Sequence, residues 1–294
     1  MEGGHSETGS ADEAPFVLLG DAGVPALPVL LSVPHAGRDY PAALLAASRL
    51  PRTRLELLED RHANLLVETA VAAGTPAIVA TRARAWIDLN RAEAELDAAM
   101  IHPRPNGATR SDSSKVLGGL GLIPRRIAGS GEIWAGRIAA TDLAERIAAH
   151  HRPYHAAIAA TLAHIHRAHG IAVLIDCHSM PSLSGENSPP LVVGDRHGRS
   201  AARALVDAAG RVAAASNIAT ALNAPYAGGY TLERHGRPNA GFHALQLEFD
   251  RTLYLDAVLR EPGEGLDRTA KLLAEIVAAV GATAALMAGP IAAE

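Results

Sequence analysis

Residues 171–181, reading I-A-V-L-I-D-C-H-S-M-P, constrain this chain more than any other stretch. The first five are apolar, rich in β-branched types and too few for a helix. They follow Gly170, a helix-ending residue, and lead into a loop broken by Pro181 and Gly185. That pattern predicts a buried central strand. Such a strand should end apolar, yet this one ends in Asp176, Cys177, His178 and Ser179. Side chains alternate along an extended chain, so Asp176 and His178 share a face, about 7 Å apart. Open α/β sheets take their ligands at the carboxyl ends of strands. The plainer alternative is an Asp bonded to a nearby helix start, beside an exposed His.

Around this strand, strand-like and helix-like segments alternate. Short strands are expected at 16–19, 29–33, 77–80, 86–89, 191–193 and 243–249, and helices at 41–49, 54–73, 132–169, 199–214 and 265–280. Gly74 and Gly281 would close two of those helices. Strands separated by helices predict a largely parallel sheet with helices on both faces. Residues 92–131 are irregular, holding Pro103, Pro105, Pro124 and six glycines, which suits a binding loop or lid. With no repeat and no linker, the expected organisation is a polar, disordered lead-in over 1–14 and one α/β domain over 15–285.

Composition narrows the partners. A formal charge of -4, 3% aromatic residues and no long basic block argue against nucleic acid. No apolar run approaches the ~18 to 20 residues that span a bilayer. The acidic N-terminus resembles neither a signal nor a transit peptide. One cysteine excludes an internal disulfide and fits a reducing compartment, so the cytoplasm is expected. Six of the 14 histidines fall within 150–169, where a solvated helix face is the expected setting.

The chemistry is bounded first by what is missing. The chain has no G-x-S-x-G elbow, no phosphate-binding G-x-x-x-x-G-K-[ST], no H-E-x-x-H and no C-x-x-C. Cys177 should face away from His178, as a packing residue. Polar groups do recur at strand ends, at His35, Asp88 to Arg91, Asp176 to Ser179 and Glu248 to Asp250. A catalytic zinc takes three protein ligands and leaves a position open. His35 and His178 are the natural pair, with a carboxylate such as Asp60 or Glu59 as third, although either could simply complement a helix dipole. Asp176 could hold the second ring nitrogen of His178. Glu248, flanked by Leu247 and Phe249, should be desolvated enough to act as a base, an ordinary salt bridge being its alternative role. Arg91 could polarise a carbonyl, and Arg125, Arg126, Arg234 and Arg237 in irregular stretches would suit an anionic substrate.

Five segments in order resemble the N-formylglutamate amidohydrolase family: Ser32 to Gly37, Asp88 to Arg91, Asp176 to Met180, Gly228 to Thr231 and Ala244 to Glu248. The resemblance implies a three-layer α/β/α sandwich with a mixed, largely parallel sheet, similar to zinc carboxypeptidases. It implies one zinc per chain and hydrolysis of an N-formyl or N-acyl group from an acidic amino acid such as glutamate. By that likeness His35 and His178 are ligands and Glu248 the general base. Asn90 and Arg91 match the element that binds substrate and polarises its carbonyl; apart from the likeness, Arg126, Tyr230 and Arg234 are expected as further substrate contacts. The third ligand transfers least directly, because Arg38 stands where carboxypeptidase-like relatives place a Glu. Asp60 is the first choice, Glu59 the second and Asp39 the third. Residues 122–126 also depart from the Thr-rich segment of members assigned to histidine breakdown, so the acyl amino acid itself stays open.

Two other readings remain at this stage. One is a non-catalytic binder of anionic N-acyl amino acids on the same scaffold. The other is a metal-free hydrolase using Ser179. Oligomeric state is not legible.

Overall fold

The structure, a computed structural model, describes residues 14–21, 23–104, 113–185 and 188–288. All of the expected lead-in except Ala14 lies outside them. Seven strands form the central sheet: β1 (Phe16–Leu19), β2 (Val29–Val33), β3 (Ala77–Ala80), β4 (Ala172–Met180), β5 (Leu191–Gly194), β6 (Thr220–Leu222) and β7 (Phe242–Asp250). Their order is β1-β3-β2-β4-β7-β5-β6. The pairs β3-β2, β2-β4, β4-β7 and β5-β6 are parallel, while β1-β3 and β7-β5 are antiparallel. The sheet is therefore mixed and mostly parallel.

Alternation along β4 divides the interior into two cores. Val173, Ile175 and Cys177 join Val29, Leu31, Leu245 and Leu247 on one face. There they meet Leu205 and Ala209 of helix α2 (Arg203–Ala215), and Leu273, Ile276 and Val280 of the long C-terminal helix Leu266–Ala288. Leu174, Leu30, Ile78 and Ala244 face the other way, onto Tyr154, Ile158, Leu162 and Ile165 of α1 (Arg152–His169). Each fully buried aliphatic side chain contributes about 1.5–3 kcal/mol, so a one-residue slip of β4 would forfeit several such contributions.

Several expected elements differ. Residues 86–89 form turns rather than a strand, with Asp88 N donating to Leu122 O at 2.8 Å. The expected helix 54–73 breaks after Leu58: Glu59 is extended, Asp60 N donates to His35 O at 2.9 Å, and His62 adopts a φ of 59° before helices Ala63–Leu66 and Glu68–Ala72. Local periodicity missed this because the break is held by a tertiary bond. The last helix runs through Gly281, where a Cβ would lie 2.9 Å from Leu27 Cβ; close packing, not capping, requires glycine there. It is long and apolar enough to cross a membrane, contrary to the reading of the sequence, yet its apolar residues Leu272, Leu273, Ile276, Val277 and Val280 are core.

The histidine-rich segment is the largest correction. It is not a solvated face. His150, His151 and His155 are buried, and a π-helical turn, Ile147–His151, precedes α1. His151 Nε2 bonds Arg91 O and His155 Nε2 bonds Leu89 O, both at 2.8 Å. His155 Nδ1 is paired with His235 Nε2 at 3.0 Å. His235 closes the helix α3 (Tyr230–His235), which also lies before Leu266–Ala288, here α4. These rings brace the 88–91 turns from behind.

Candidate metal centre

Register builds the site. In the parallel pairs, Ser32 aligns with Asp176 and Asp176 with Gln246, and one step along His178 aligns with Glu248. Paired residues share a face, so His178 and Glu248 emerge side by side at the carboxyl ends of β4 and β7. His35 lies two residues past the end of β2, and the broken helix delivers Asp60 beside it.

His35, Asp60 and His178 converge, each at most 3% exposed, with one potential ligand atom apiece within 4.8 Å of the others. Asp60 Oδ2 lies 2.8 Å from His178 Nδ1 and 3.5 Å from His35 Nδ1. The ring centroids are 4.7 Å apart. Both far nitrogens are engaged by carboxylates: His35 Nε2 with Asp88 Oδ1 at 2.7 Å and His178 Nε2 with Asp176 Oδ2 at 3.0 Å. Each carboxylate is itself held. Asp88 accepts from Asn90 N and Arg84 Nε, both at 2.9 Å, and Asp176 accepts from Ser32 Oγ at 2.7 Å.

A divalent cation fits this arrangement. His35 Nδ1 is buried with no hydrogen bond among the described residues, and it faces the same oxygen as His178 Nδ1. Two imidazoles and one carboxylate make a zinc-type donor set, and carboxylates on the outer nitrogens orient the inner ones. Electrostatics agree. Burial pushes the Asp60 carboxyl up, but the two imidazoles override it and hold it well below the usual range. Burial opposes charge on His178, yet Asp176, Asp60 and Glu248 outweigh it and raise its proton affinity. The buried carboxylates around His178 thus favour positive charge at this point.

The other carboxylates considered as third ligand point elsewhere. Glu59 accepts from Tyr40 and Arg61, and Asp39 pairs with Arg82. Glu248 accepts from Gln246 Nε2 at 2.8 Å. Burial pushes its carboxyl up to about 7, although the neighbouring His178 pulls it down. Asn90 Nδ2 stands 3.2 Å from His178 Nε2, and Asn90 Oδ1 accepts from Thr231 N at 2.9 Å. That contact requires a glycine at 229, where a Cβ would sit 2.3 Å from Asn90 Oδ1.

Arg91 is tethered, its Nε donating to Leu120 O at 2.9 Å and Nη1 to Asn90 O at 2.6 Å. Arg126 is exposed on a small hairpin, and Arg234 Nη1 donates to Tyr230 Oη at 2.7 Å. Tyr230 stacks on His151, so this pair stands with the histidine brace rather than in contact with the metal group. Ser179 accepts from Arg251 Nε at 3.3 Å.

Two further arginines stand at the site without any motif to mark them. Arg84, four residues before Asp88, donates to it while its charge reaches Asp60 and Glu248. Arg251, just past β7, reaches Asp60 Oδ1 at 3.5 Å. A cation at a strand mouth and an i,i+4 ion pair were the available signals.

A family model described as N-formylglutamate amidohydrolase matches residues 27–255. An N-formylglutamate deformylase of Pseudomonas aeruginosa is 28% identical over 241 residues, covering 78% of this chain and 83% of that protein. One from Pseudomonas putida is 28% identical over 249 residues, covering 78% and 82%. A crystal structure of N-formylglutamate amidohydrolase from Ralstonia eutropha superposes with a TM-score of 0.82 at 28% identity, covering 92% of this chain and 97% of that one. An Agrobacterium tumefaciens gene product shares the fold, with a TM-score of 0.65 at 16% identity over 91% and 94%. With more than half its length matched, the chain belongs to the N-formylglutamate amidohydrolase family.

Proposed function

We propose that this protein is a metal-dependent hydrolase that removes the formyl group from N-formyl-L-glutamate, giving glutamate and formate, and that residues 15–285 work as one zinc carboxypeptidase-like unit. The observation that carries it is the convergence of His35, Asp60 and His178, with Glu248 beside His178 on the adjacent strand. His35 Nδ1, Asp60 Oδ2 and His178 Nδ1 would hold the ion. When bound, zinc would supply a Lewis acid that polarises the formyl carbonyl and makes water easier to deprotonate.

The side chains account for the rest. Glu248, desolvated and with a carboxyl near 7, takes a proton from the attacking water and returns it to the departing amine nitrogen. Arg84, fixed by Asp88, and Arg91, fixed by Leu120 and Asn90, are pre-oriented to stabilise charge developing on the formyl oxygen. Asn90, braced by Thr231, lines the same wall. The names of the Pseudomonas relatives support this substrate.

The test is Glu248→Gln in zinc-loaded protein assayed on N-formylglutamate. Zinc content should be unchanged and turnover should fall by about 10²–10⁴-fold. Normal turnover would remove Glu248 as the base. Wild-type protein that binds N-formylglutamate without hydrolysing it would leave the binder reading instead.

A further inference from the structure

Two segments meet beside the loop that carries Asp88 and Asn90. One is the short helix Ser114–Leu117, which carries Lys115. Its place is fixed: Leu120 N donates to Lys115 O at 2.7 Å, and Leu120 O accepts from Arg91 Nε at 2.9 Å. The turn that closes this helix is thereby pinned to the loop that carries Asp88 and Asn90. The other segment, between β6 and α3, carries Tyr226, and Lys115 Nζ stands 6.0 Å from the centre of its ring.

The Tyr226 segment runs into Gly229, whose N donates to Gln246 Oε1 at 3.2 Å and which abuts Asn90, so both side chains stand near the carboxylates of the site. Lys115 feels Glu248 and Asp88, and Tyr226 feels Glu248 and Asp60. Lys115 is exposed, yet partial desolvation, then Arg91 and Arg84, lower the proton affinity of its amine, which places it in the same field as the two arginines. Those arginines are held by Asp88, Leu120 and Asn90 and assigned above to the formyl oxygen, so a second anionic group of the substrate needs another cation. Lys115 forms no ion pair among the described residues. The chain has two lysines among its 27 basic residues, and the other, Lys271, pairs with Glu275 on a solvent-exposed helix face. A compact ammonium on a flexible four-carbon stem suits a carboxylate whose position varies, whereas a rigid guanidinium does not.

We propose that Lys115 is the specificity residue of this site, its ammonium receiving the side-chain carboxylate of an acidic N-formyl amino acid whose formyl group lies at His35, Asp60 and His178. This rests on the hydrolase reading above. A charge-assisted contact at the rim of a site acts on substrate binding more than on the chemical step.

The experiment compares wild type, Lys115→Met and Lys115→Arg on N-formylglutamate and N-formylglutamine, which differ only at the side-chain carboxylate. Lys115→Met should raise KM for N-formylglutamate about 10- to 100-fold, leave kcat within a few-fold, and leave N-formylglutamine unaffected. Lys115→Arg should recover part of the loss. An unchanged glutamate-to-glutamine ratio of kcat/KM in Lys115→Met overturns the inference. A second readout is independent of turnover: amine labelling of the wild-type protein followed by mass spectrometry, with and without glutarate. Glutarate should slow labelling of Lys115 but not of Lys271. If no N-formyl amino acid is hydrolysed, the hydrolase reading fails, and protection of Lys115 still decides this one; equal labelling with and without glutarate overturns it.

Discussion

At His178 the two ring nitrogens have separate tasks: Nε2 is occupied by Asp176, and Nδ1 faces Asp60. His35 repeats the arrangement with Asp88. Removing the charge from an outer carboxylate should therefore weaken the ion without touching a ligand. Asp88→Asn is expected to lower zinc affinity about 10- to 100-fold, read by titration against a competing chelator; unchanged affinity would make Asp88 a purely structural partner. Glu248 sets a pH limit. A base must be deprotonated, and burial pushes this carboxyl up to about 7. A bound cation favours the carboxylate, so the acid limb of kcat/KM should lie at or below about pH 7, and Glu248→Gln should abolish that limb. Residue types at strand ends made His35, His178 and Glu248 legible in the sequence. Arg84 and Arg251 were not, because an arginine is defined by the partner it finds.

At the element scale, the decisive feature is a loop braced by histidines. His155 and His151 hold the carbonyls of Leu89 and Arg91, and His235 backs His155. Burial, followed by Arg234, lowers the pKa of His235 to about 4, and burial also lowers those of His151 and His155. In the unfolded chain these groups titrate near 6.5. The unfolded state therefore binds more protons between those values, and stability present above about pH 6.5 is lost as pH falls toward 4. His235 alone accounts for up to about 3 kcal/mol of that loss. Denaturant midpoints measured from pH 7 to pH 4 should fall steeply for wild type and less steeply for His235→Gln. The sequence showed the histidine cluster but not its burial. Helical periodicity through an alanine-rich segment with a π-turn leaves the buried side ambiguous, and the carbonyls that these rings serve belong to distant residues.

For the whole molecule, the sheet edge and the candidate ion depend on each other. His35, Asp60 and His178 arrive from β2, the broken helix and β4, so an ion held by all three ties the core to the segment preceding Ala63–Leu66. Zinc at a thousand times its Kd would add about 4 kcal/mol. At roughly 2 °C per kcal/mol for a chain of this size, a strong chelator should lower Tm by roughly 8 °C, and added zinc should restore it. Asp60→Ala should abolish that difference. A Tm indifferent to chelator and zinc would argue against a resident ion. Cys177, fully buried in the core opposite the site, should stay inert to thiol reagents until the protein unfolds.

By itself the sequence located six of the seven sheet strands and the pair of imidazoles, leaving Thr220–Leu222 unmarked and taking 86–89 for a strand. The continuous apolar run 171–175 marks a strand buried on both faces, and the pleat places Val173, Ile175 and Cys177 on one side and Asp176 and His178 on the other. Strand ends carry polar groups visible without any neighbour. Tertiary structure alone decided that Asp60, not Glu59 or Asp39, faces both rings, because the break that delivers it is held by His35 O. It also decided where the loop cations stand. Periodicity reports which face of an element is buried; which side chains meet across elements follows from bonds between residues far apart in the chain.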